Sequence, residues 1–177
     1  MASKRIIPQF LLKGKRLVKG TRFSRFVDVG DPVSQAVIYD AQGADEIVIV
    51  DISASRRGTV IDPGVIREMT AQCRLPIAAG GGIRSVRDAR KCFHAGADKI
   101  VVNTGALLRP RLIRELSEEF GSQSVLVSLD ARKDRSGGYA AAGFGGSKLV
   151  PGSLEERLAH AIELGAGEAI VTSIDRE

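Results

Sequence analysis

The stretch Gly96-Ala97-Asp98-Lys99-Ile100-Val101-Val102-Asn103-Thr104-Gly105 contains the pattern that decides the fold. Gly96 follows a helical apolar pattern and is suited to end that helix in a left-handed conformation. The run Ile100-Val101-Val102 is continuously apolar, as expected of a parallel strand covered on both faces. Polar residues follow it directly. A helix end, a buried strand and a polar loop in this order predict one repeat of an α/β protein.

Similar helix-to-strand junctions occur at Gly43-Ala44-Asp45-Glu46-Ile47 and at Gly165-Ala166-Gly167-Glu168-Ala169. Six strands are predicted, beginning near Arg5, Glu46, Pro76, Lys99, Ser124 and Glu168. Helix N-caps are predicted at Asp31, Asp62, Ser85 and Ser153. The pattern predicts a parallel (βα)₈ TIM-barrel type of fold in a single domain, residues 1–177. Since such a barrel needs about 250 residues, the expectation is a barrel truncated after about strand six.

Composition favours small anionic ligands over nucleic acid. Lysine and arginine number 26 against 21 aspartates and glutamates, but the excess is spread along the chain and only two tyrosines and six phenylalanines are available for base stacking. No apolar run approaches the roughly 18 residues of a membrane span. A cytoplasmic protein without membrane contact is therefore expected.

The two cysteines, Cys73 and Cys92, fall inside helical apolar patterns. They form no ligand-spaced motif with the two histidines, His94 and His160. Buried reduced thiols are favoured over a disulfide or a metal site. The sequence gives no reason to expect a metal or a cofactor.

The carboxyl ends of predicted strands three and four carry a candidate phosphate site. A glycine run, 79–85, leads from strand three into a capped helix, where free backbone N–H groups suit a phosphate. Taken alone, the run could equally be a tight turn. Asn103 and Thr104, after strand four, can donate hydrogen bonds to the same oxygens. Together with Gly82 they favour phosphate binding.

Two aspartates end predicted strands two and five. Asp51 and Asp130 each follow apolar residues, where a carboxylate has no packing reason to be. They could serve as helix caps or ion-pair partners, or as acids and bases acting on a bound substrate. Function is favoured for Asp130, and both alternatives stay open for Asp51. The basic segment from Lys13 to Gly20, with Arg22 and Arg25, is interpreted as a loop that is either solvated or able to close over an anion.

Charged residues of alternating sign begin four of the predicted strands. They are Arg5, Glu46, Lys99 and Glu168. Charged strand ends are usually solvated. If these four point inward at the bottom of a barrel, they form a ring of ion pairs, which is costly for stability alone and suggests a gate.

The chain resembles the cyclase subunit of imidazole glycerol phosphate synthase. The resemblance rests on Arg-Ile-Ile-Pro, Gly-Gly-Gly-Ile-Arg-Ser, Gly-Ala-Asp-Lys, Phe-Gly-Ser-Gln and Leu-Gly-Ala-Gly-Glu, all present between Arg5 and Glu168. It implies a (βα)₈ barrel paired with a glutaminase subunit, from which ammonia travels through the barrel to a phosphorylated substrate. It also implies that the four charged residues form the ammonia gate.

Further residue roles follow from the same resemblance. Asp98 is implied to face the glutaminase, and Lys19 and Asp51 to lie beside the substrate. Gly82, Asn103 and Thr104 match one phosphate site, and Asp130 matches one catalytic aspartate. Its partner aspartate falls at Leu11, which can neither donate nor accept a proton.

Because position 11 is a leucine, three hypotheses about function stay open. A leucine-rich first strand resembles a paralogous branch that supplies ammonia for forming an acetamidino group on a surface-polysaccharide sugar. There the barrel would hand ammonia to a separate amidotransferase. The second hypothesis is an ordinary histidine-pathway cyclase in which another carboxylate replaces the missing one. The third is a non-enzymatic barrel that keeps only the glutaminase-docking face.

Overall fold

The computed structural model describes residues 4–133 and 137–176. Within them, ten strands form one sheet: β1 (Gln9–Lys13), β2 (Arg16–Thr21), β3 (Ser24–Gly30), β4 (Ile47–Asp51), β5 (Ile77–Gly80), β6 (Lys99–Val102), β7 (Val125–Lys133), β8 (Tyr139–Gly143), β9 (Lys148–Ser153) and β10 (Glu168–Ser173). The helices are α1 (Pro32–Ala41), α2 (Ala54–Arg57), α3 (Pro63–Gln72), α4 (Val86–His94), α5 (Thr104–Leu108), α6 (Arg111–Phe120) and α7 (Leu154–Glu163). Short 3₁₀ turns span Ser122–Ser124 and Ile174–Arg176.

Six of the strands are parallel and lie side by side in chain order. Their order is β1-β4-β5-β6-β7-β10, and each connection between them includes a helix. These are the six strands that the sequence predicts, so the α/β fold with a parallel sheet is confirmed. The other four are antiparallel: β2 and β3 extend the sheet from β1, and β8 and β9 extend it from β7.

The predicted total of six strands was therefore wrong, and so was the picture of a barrel that simply stops after strand six. The basic segment after β1 is a hairpin, not a loop. Residues in β3 are exposed at nearly every position, so the hairpin shows little of the apolar alternation that marks a strand. Among the described residues, no pairing joins β1 to β10, so the strand pairs do not close a barrel.

The parallel sheet is nevertheless rolled, because residues at its two ends, Ile7 and Ile170, pack against one core on the same face. Along β4, Ile47 and Ile49 pack into the large cluster beneath the helices, whereas Val48 packs into a small cluster on the other face. The small cluster consists of Val48, Ala78, Val101 and Leu126, with Ile7, Val50 and Ile170 packed against it. Ile7 precedes β1 and Ile170 lies in β10. The two ends of the parallel series therefore converge on one inner core.

The predicted helix starts are confirmed by their hydrogen bonds. The Asp31 carboxylate accepts from the Ser34 backbone N–H at 2.7 Å, and the Asp62 carboxylate accepts from the Gly64 N–H at 2.8 Å. Ser153 begins α7 with a complete capping box. These caps hold the first turns of α1, α3 and α7 and so fix where each helix leaves the sheet.

Both cysteines are buried free thiols, as predicted. Burial, with a smaller contribution from the nearby Asp88 carboxylate, raises the pKa of Cys92 to about 12. No helix among the described residues is long and apolar enough to cross a membrane.

Candidate active site and charged ring

A cavity of about 530 Å³ lies at the carboxyl ends of the parallel strands. Of the residues singled out in the sequence, its lining includes Leu11, Asp51, Gly82, Asn103, Thr104 and Asp130. Phe23 and Phe26, from the β2–β3 hairpin, and Phe144, from the β8–β9 turn, also line it. The two hairpins meet, since a Cβ atom on Gly146 would lie 3.0 Å from the Phe23 ring. The antiparallel strands thus form the aromatic walls of the cavity.

Two tightly packed loops form a cradle of backbone at one side of this cavity. Gly82 has a φ of 72°, and a Cβ atom there would lie 1.9 Å from the carbonyl oxygen of Thr59. Likewise, a Cβ atom on Gly105 would lie 2.3 Å from the carbonyl oxygen of Ile83. Only glycine allows these segments to approach so closely. The Gly81–Ile83 loop and the start of α5 are therefore in direct contact, and phosphate binding at this cradle stays a prediction.

Asn103 makes a different contact from the one that the sequence suggests. Its amide nitrogen donates to the Asp130 carboxylate at 3.0 Å, which fixes the orientation of the amide because the carboxylate can only accept. Its Oδ1 atom is buried and has no hydrogen-bond partner among the described residues. The Asn103 side chain therefore holds Asp130 in place, and Thr104 is a neighbouring residue of the cavity lining. Direct donation from Asn103 to a phosphate stays a prediction.

Asp51 forms an ion pair and local hydrogen bonds, one of the two alternatives left open by the sequence. It is 2% exposed. Its Oδ1 atom accepts from the Ser53 backbone N–H at 2.9 Å and from the Ser53 hydroxyl at 2.6 Å, and its Oδ2 atom accepts from Arg57 at 2.8 Å. With both oxygens occupied, this carboxylate positions α2 beside the cavity. A role beside the substrate, implied by the resemblance, stays a prediction.

Leu11 and Asp130 line the same cavity from opposite parts of the sheet. Leu11 lies on β1, where it pairs with Val18 and Val50. Asp130 lies on β7 opposite Thr172 of β10. The lining of one cavity therefore includes the apolar side chain of Leu11 and a carboxylate that is 7% exposed. The Leu11 side chain cannot donate a proton to a bound molecule or accept one from it.

Lys19 is not among the residues that line the cavity. It lies on β2, is exposed, and pairs with Val27 of β3. Sequence analysis missed Ser128, Thr172 and the three phenylalanines of the lining. Ser128 carried a usable signal, because it lies two residues before Asp130 in a strand and so shares its face. The phenylalanines carried none, since their position depends on how two distant hairpins meet.

The four charged residues at the amino ends of the strands form a closed ring. Arg5 contacts Glu46 and Glu168, both at 3.1 Å, and the Lys99 ammonium contacts the same two carboxylates, both at 2.8 Å. The Glu46 side chain is 3% exposed, and within residues 4–133 and 137–176 its Oε1 atom has no hydrogen-bond partner. The inward arrangement that the charge pattern suggests is therefore present in the structure.

The ring, the inner core and the cavity are stacked along the inside of the rolled sheet. On β10, Glu168 belongs to the ring, Ile170 to the inner core and Thr172 to the cavity lining. The same spacing of two residues relates Lys99, Val101 and Asn103. Alternate residues of a strand share one face. The charged ring, the apolar inner core and the cavity therefore follow one another along one face of the sheet.

Asp98 lies just before β6, on the same side of the sheet as the ring. It is exposed, and its carboxylate accepts a hydrogen bond from the Ile77 backbone N–H at 2.8 Å. This bond ties the start of β5 to the start of β6. Its outward placement is compatible with a partner-facing role, which stays a prediction.

Comparison with known proteins gives the same family throughout. A family model described as histidine biosynthesis protein matches residues 5–177. The imidazole glycerol phosphate synthase subunit HisF of Streptomyces avermitilis is 42% identical over 98% of this chain and 69% of its own length. The corresponding subunits of Geobacillus kaustophilus and Streptococcus mutans are 42% and 43% identical, each over 100% of this chain and 71% and 70% of their own length. The chain belongs to the HisF family.

The charged ring gives this HisF family member a predictable response to pH. Burial opposes ionisation of Glu168, but hydrogen bonds from Lys99 and Arg5 outweigh it and hold the pKa of Glu168 below its ordinary 4.5. For Lys99, burial is likewise outweighed by the two carboxylates, and its pKa is raised above 10.5. A lowered carboxyl pKa stabilises the fold above the unfolded-state value, and a raised lysine pKa stabilises it below the unfolded-state value. The ring therefore contributes fully between about pH 4.5 and 10.5.

Glu168→Gln should lower the melting temperature most at neutral pH, and the difference from the wild-type protein should shrink as the pH falls below about 4.5. The reason is that Glu168 becomes protonated first in the unfolded chain and, at lower pH, in the folded protein, so the stability that its charge contributes is progressively lost. Melting curves recorded from pH 3 to 7 measure the difference. Glu163→Gln, an exposed change on α7, is the matched control and should follow the wild-type curve. A Glu168→Gln difference that stayed constant down to pH 3 would contradict the assignment.

Proposed function

We propose that this chain is the ammonia-accepting barrel subunit of a glutamine-dependent synthase and that it binds a phosphorylated substrate. The observation that carries the proposal is the stacking of ring, apolar layer and cavity along one face of the sheet. Within this proposal the rolled parallel sheet is part of a (βα)₈ barrel, and the cavity is its catalytic end. The glycine cradle with Thr104 holds the phosphate.

The apolar layer favours neutral ammonia over the ammonium ion. Val48, Ala78, Val101 and Leu126 offer no hydrogen-bonding groups between the ring and the cavity. Moving an unpaired charge into such a layer costs far more than moving a small neutral molecule. The ring would therefore be the point at which a glutaminase subunit delivers ammonia, with Asp98 on the docking surface. The partner is inferred from the resemblance and from the placement of these residues.

Leu11 supports a role in ammonia delivery rather than in ring closure. A cyclase must move a proton on and off its substrate, and losing one of two acid or base groups costs about 10²–10⁴-fold in rate. We propose that the delivered ammonia serves the formation of an acetamidino group on a surface-polysaccharide sugar, through a separate sugar amidotransferase. Asp130 then remains as a hydrogen-bonding group at the end of the path.

The alternative is the cyclase of histidine biosynthesis. It is supported by the 42–43% identity to HisF subunits and by Asp130, which lines the cavity. In this alternative another carboxylate would perform the work of the missing aspartate. Asp51 is a poor candidate, since both of its oxygens already accept hydrogen bonds.

The test is ammonia-dependent turnover of the phosphoribosyl-formimino substrate by the wild-type chain and by Leu11→Asp. We expect no turnover above background for the wild type and a gain for Leu11→Asp, because the substitution restores a group that can move a proton. Leu11→Asn, of similar size and polarity but unable to act as a base, is the matched control. Turnover by the wild-type chain would overturn the ammonia-delivery proposal in favour of the cyclase.

A further inference from the structure

Arg84 directly follows the glycine loop, Gly81–Ile83, and contacts the end of α2. Its Nη2 atom donates to the carbonyl oxygen of Gly58 at 2.6 Å, although the side chain is exposed. Gly58 directly follows α2 with a φ of 69°, and its carbonyl is one of the groups that a helix end leaves without a partner inside the helix. The guanidinium therefore links the end of α2 to the residue that follows the glycine loop.

The segment after α2, residues 58–61, supports the glycine loop without lining the cavity. The Ile61 N–H donates to the carbonyl oxygen of Gly81 at 2.9 Å. The Thr59 carbonyl oxygen occupies the space that a Cβ atom on Gly82 would need. None of these four supporting residues belongs to the cavity lining, whereas Gly81 and Gly82 do. A ligand in the cradle would therefore contact the glycine loop, while the segment after α2 fixes the position of that loop.

The backbone of Arg84 is itself anchored on both sides. Its carbonyl oxygen accepts from Arg109 Nη2 at 3.3 Å, and the Arg109 guanidinium also donates to both carboxylate oxygens of Glu115, at 2.9 and 3.1 Å. The Arg84 N–H donates to the Asp88 carboxylate at 3.3 Å. Arg109 directly follows α5 and is not a lining residue. The loops after β4, β5 and β6 are thus joined through Arg84.

Two roles toward a bound phosphate are open to Arg84. It belongs to the cavity lining, so direct contact with the phosphate is one of them. Its guanidinium, however, already donates to the Gly58 carbonyl, and a hydrogen bond from a charged donor is about twice as strong as one between neutral groups. We infer that Arg84 is a positioning residue, which keeps the segment after α2 against the glycine loop and so maintains the shape of the cradle. The inference rests on the proposed function, which assigns the phosphate to this cradle.

The Ile61 amide reports on this role, because its hydrogen bond to Gly81 requires the segment after α2 to keep its place. Arg84→Met removes the donor and keeps an unbranched side chain. Amide hydrogen exchange at Ile61, followed by NMR without phosphate, should be about fivefold or more faster in Arg84→Met than in the wild type. The Val48 amide, which donates to the Pro8 carbonyl at 3.0 Å, should exchange at the wild-type rate.

Phosphate affinity is measured on the same variants by calorimetric titration with inorganic phosphate at fixed ionic strength. The Kd should rise about fivefold or more in Arg84→Met, and Arg84→Lys should reverse part of both effects, because a lysine can still donate to a carbonyl. Arg109→Met, outside the lining, should raise the Kd about two- to threefold, because it frees the Arg84 backbone. Arg87→Met removes an exposed arginine of α4 outside the lining, so as the matched control it should bind phosphate like the wild type.

The outcomes separate positioning from the other roles of an arginine. A weaker phosphate affinity in Arg84→Met with an unchanged Ile61 exchange rate would overturn the inference in favour of direct contact. Equal acceleration at Ile61 and Val48 would overturn it in favour of a general loss of stability. Wild-type affinity in both Arg84→Met and Arg109→Met would also overturn it. Absence of phosphate binding by the wild-type chain would overturn the cradle of the proposed function, whereas the Ile61 exchange rate would still decide whether Arg84 holds the segment after α2.

Discussion

Gly82→Ala is expected to abolish measurable phosphate binding and to destabilise the fold by about 2–4 kcal/mol. The added methyl group would lie 1.9 Å from the Thr59 carbonyl oxygen and 3.2 Å from the Ala54 Cβ atom. The first of these neighbours is backbone, so no side-chain rotation can relieve the contact. Either the segment after α2 or the glycine loop, which lines the cavity, must move. Urea denaturation and a phosphate titration on the same sample measure the two losses.

Gly43→Ala is the matched control for this substitution. Gly43 has a φ of 78°, close to the 72° of Gly82, but nothing lies within 4 Å of its added Cβ atom. It therefore reports only the cost of a left-handed alanine, about 1 kcal/mol, and should leave phosphate affinity unchanged. If Gly82→Ala lowered the free energy of unfolding no more than Gly43→Ala does, and still bound phosphate with wild-type affinity, the close packing of the cradle would be disproved.

Lys99→Met should destabilise the protein by about 2–4 kcal/mol at neutral pH, the largest effect expected for a single member of the ring. The Lys99 side chain is 17% exposed and bridges both carboxylates. Without it, the buried Glu46 carboxylate keeps only its contact with Arg5, which is 48% exposed. A buried charge that loses its nearer partner is far more costly than an exposed one. Urea denaturation at pH 7 gives the free energy of unfolding.

A double substitution tests whether Lys99→Met loses stability because the buried Glu46 carboxylate has lost its nearer partner. Combining Lys99→Met with Glu46→Gln removes one positive and one negative charge, so the double variant should regain part of the stability that Lys99→Met loses. Arg5→Met should cost less than Lys99→Met, because Arg5 is half exposed and its ion pairs are weakened by solvent. Equal losses for Arg5→Met and Lys99→Met, with no recovery in the double variant, would contradict a buried ring.

The strongest sequence signals were local ones, and they predicted the elements correctly. The continuous apolar runs of β4 and β6 and the Asp-Pro caps of α1 and α3 depend only on neighbouring residues. They therefore appear in the structure where the sequence places them. The two hairpins were missed for the opposite reason. Their strands are stabilised by pairing to β1 and β7, and the mostly exposed residues of β3 and β9 need no apolar alternation.

The same distinction between local signals and long-range contacts applies to individual site residues. The glycine run predicted a cradle because a backbone that approaches so closely allows no side chain, which is a property of the residue itself. For Asp51 the sequence left two possibilities, and Arg57, six residues further along, filled its second oxygen. Asn103 was expected to face a phosphate, but its amide nitrogen is taken by Asp130, 27 residues away in sequence. Neither contact can be predicted from the residues that neighbour Asp51 or Asn103 in the sequence.

The sequence by itself determined the parallel α/β fold, the helix caps, the glycine cradle and the family to which the chain belongs, since each depends on residue types at fixed spacing. It also determined the absence of a proton-transferring group at Leu11. Only the tertiary structure decided that Arg5 and Glu168 meet in one ring and that two hairpins wall the cavity. Those facts depend on how the sheet rolls, and rolling brings together side chains that no local spacing relates.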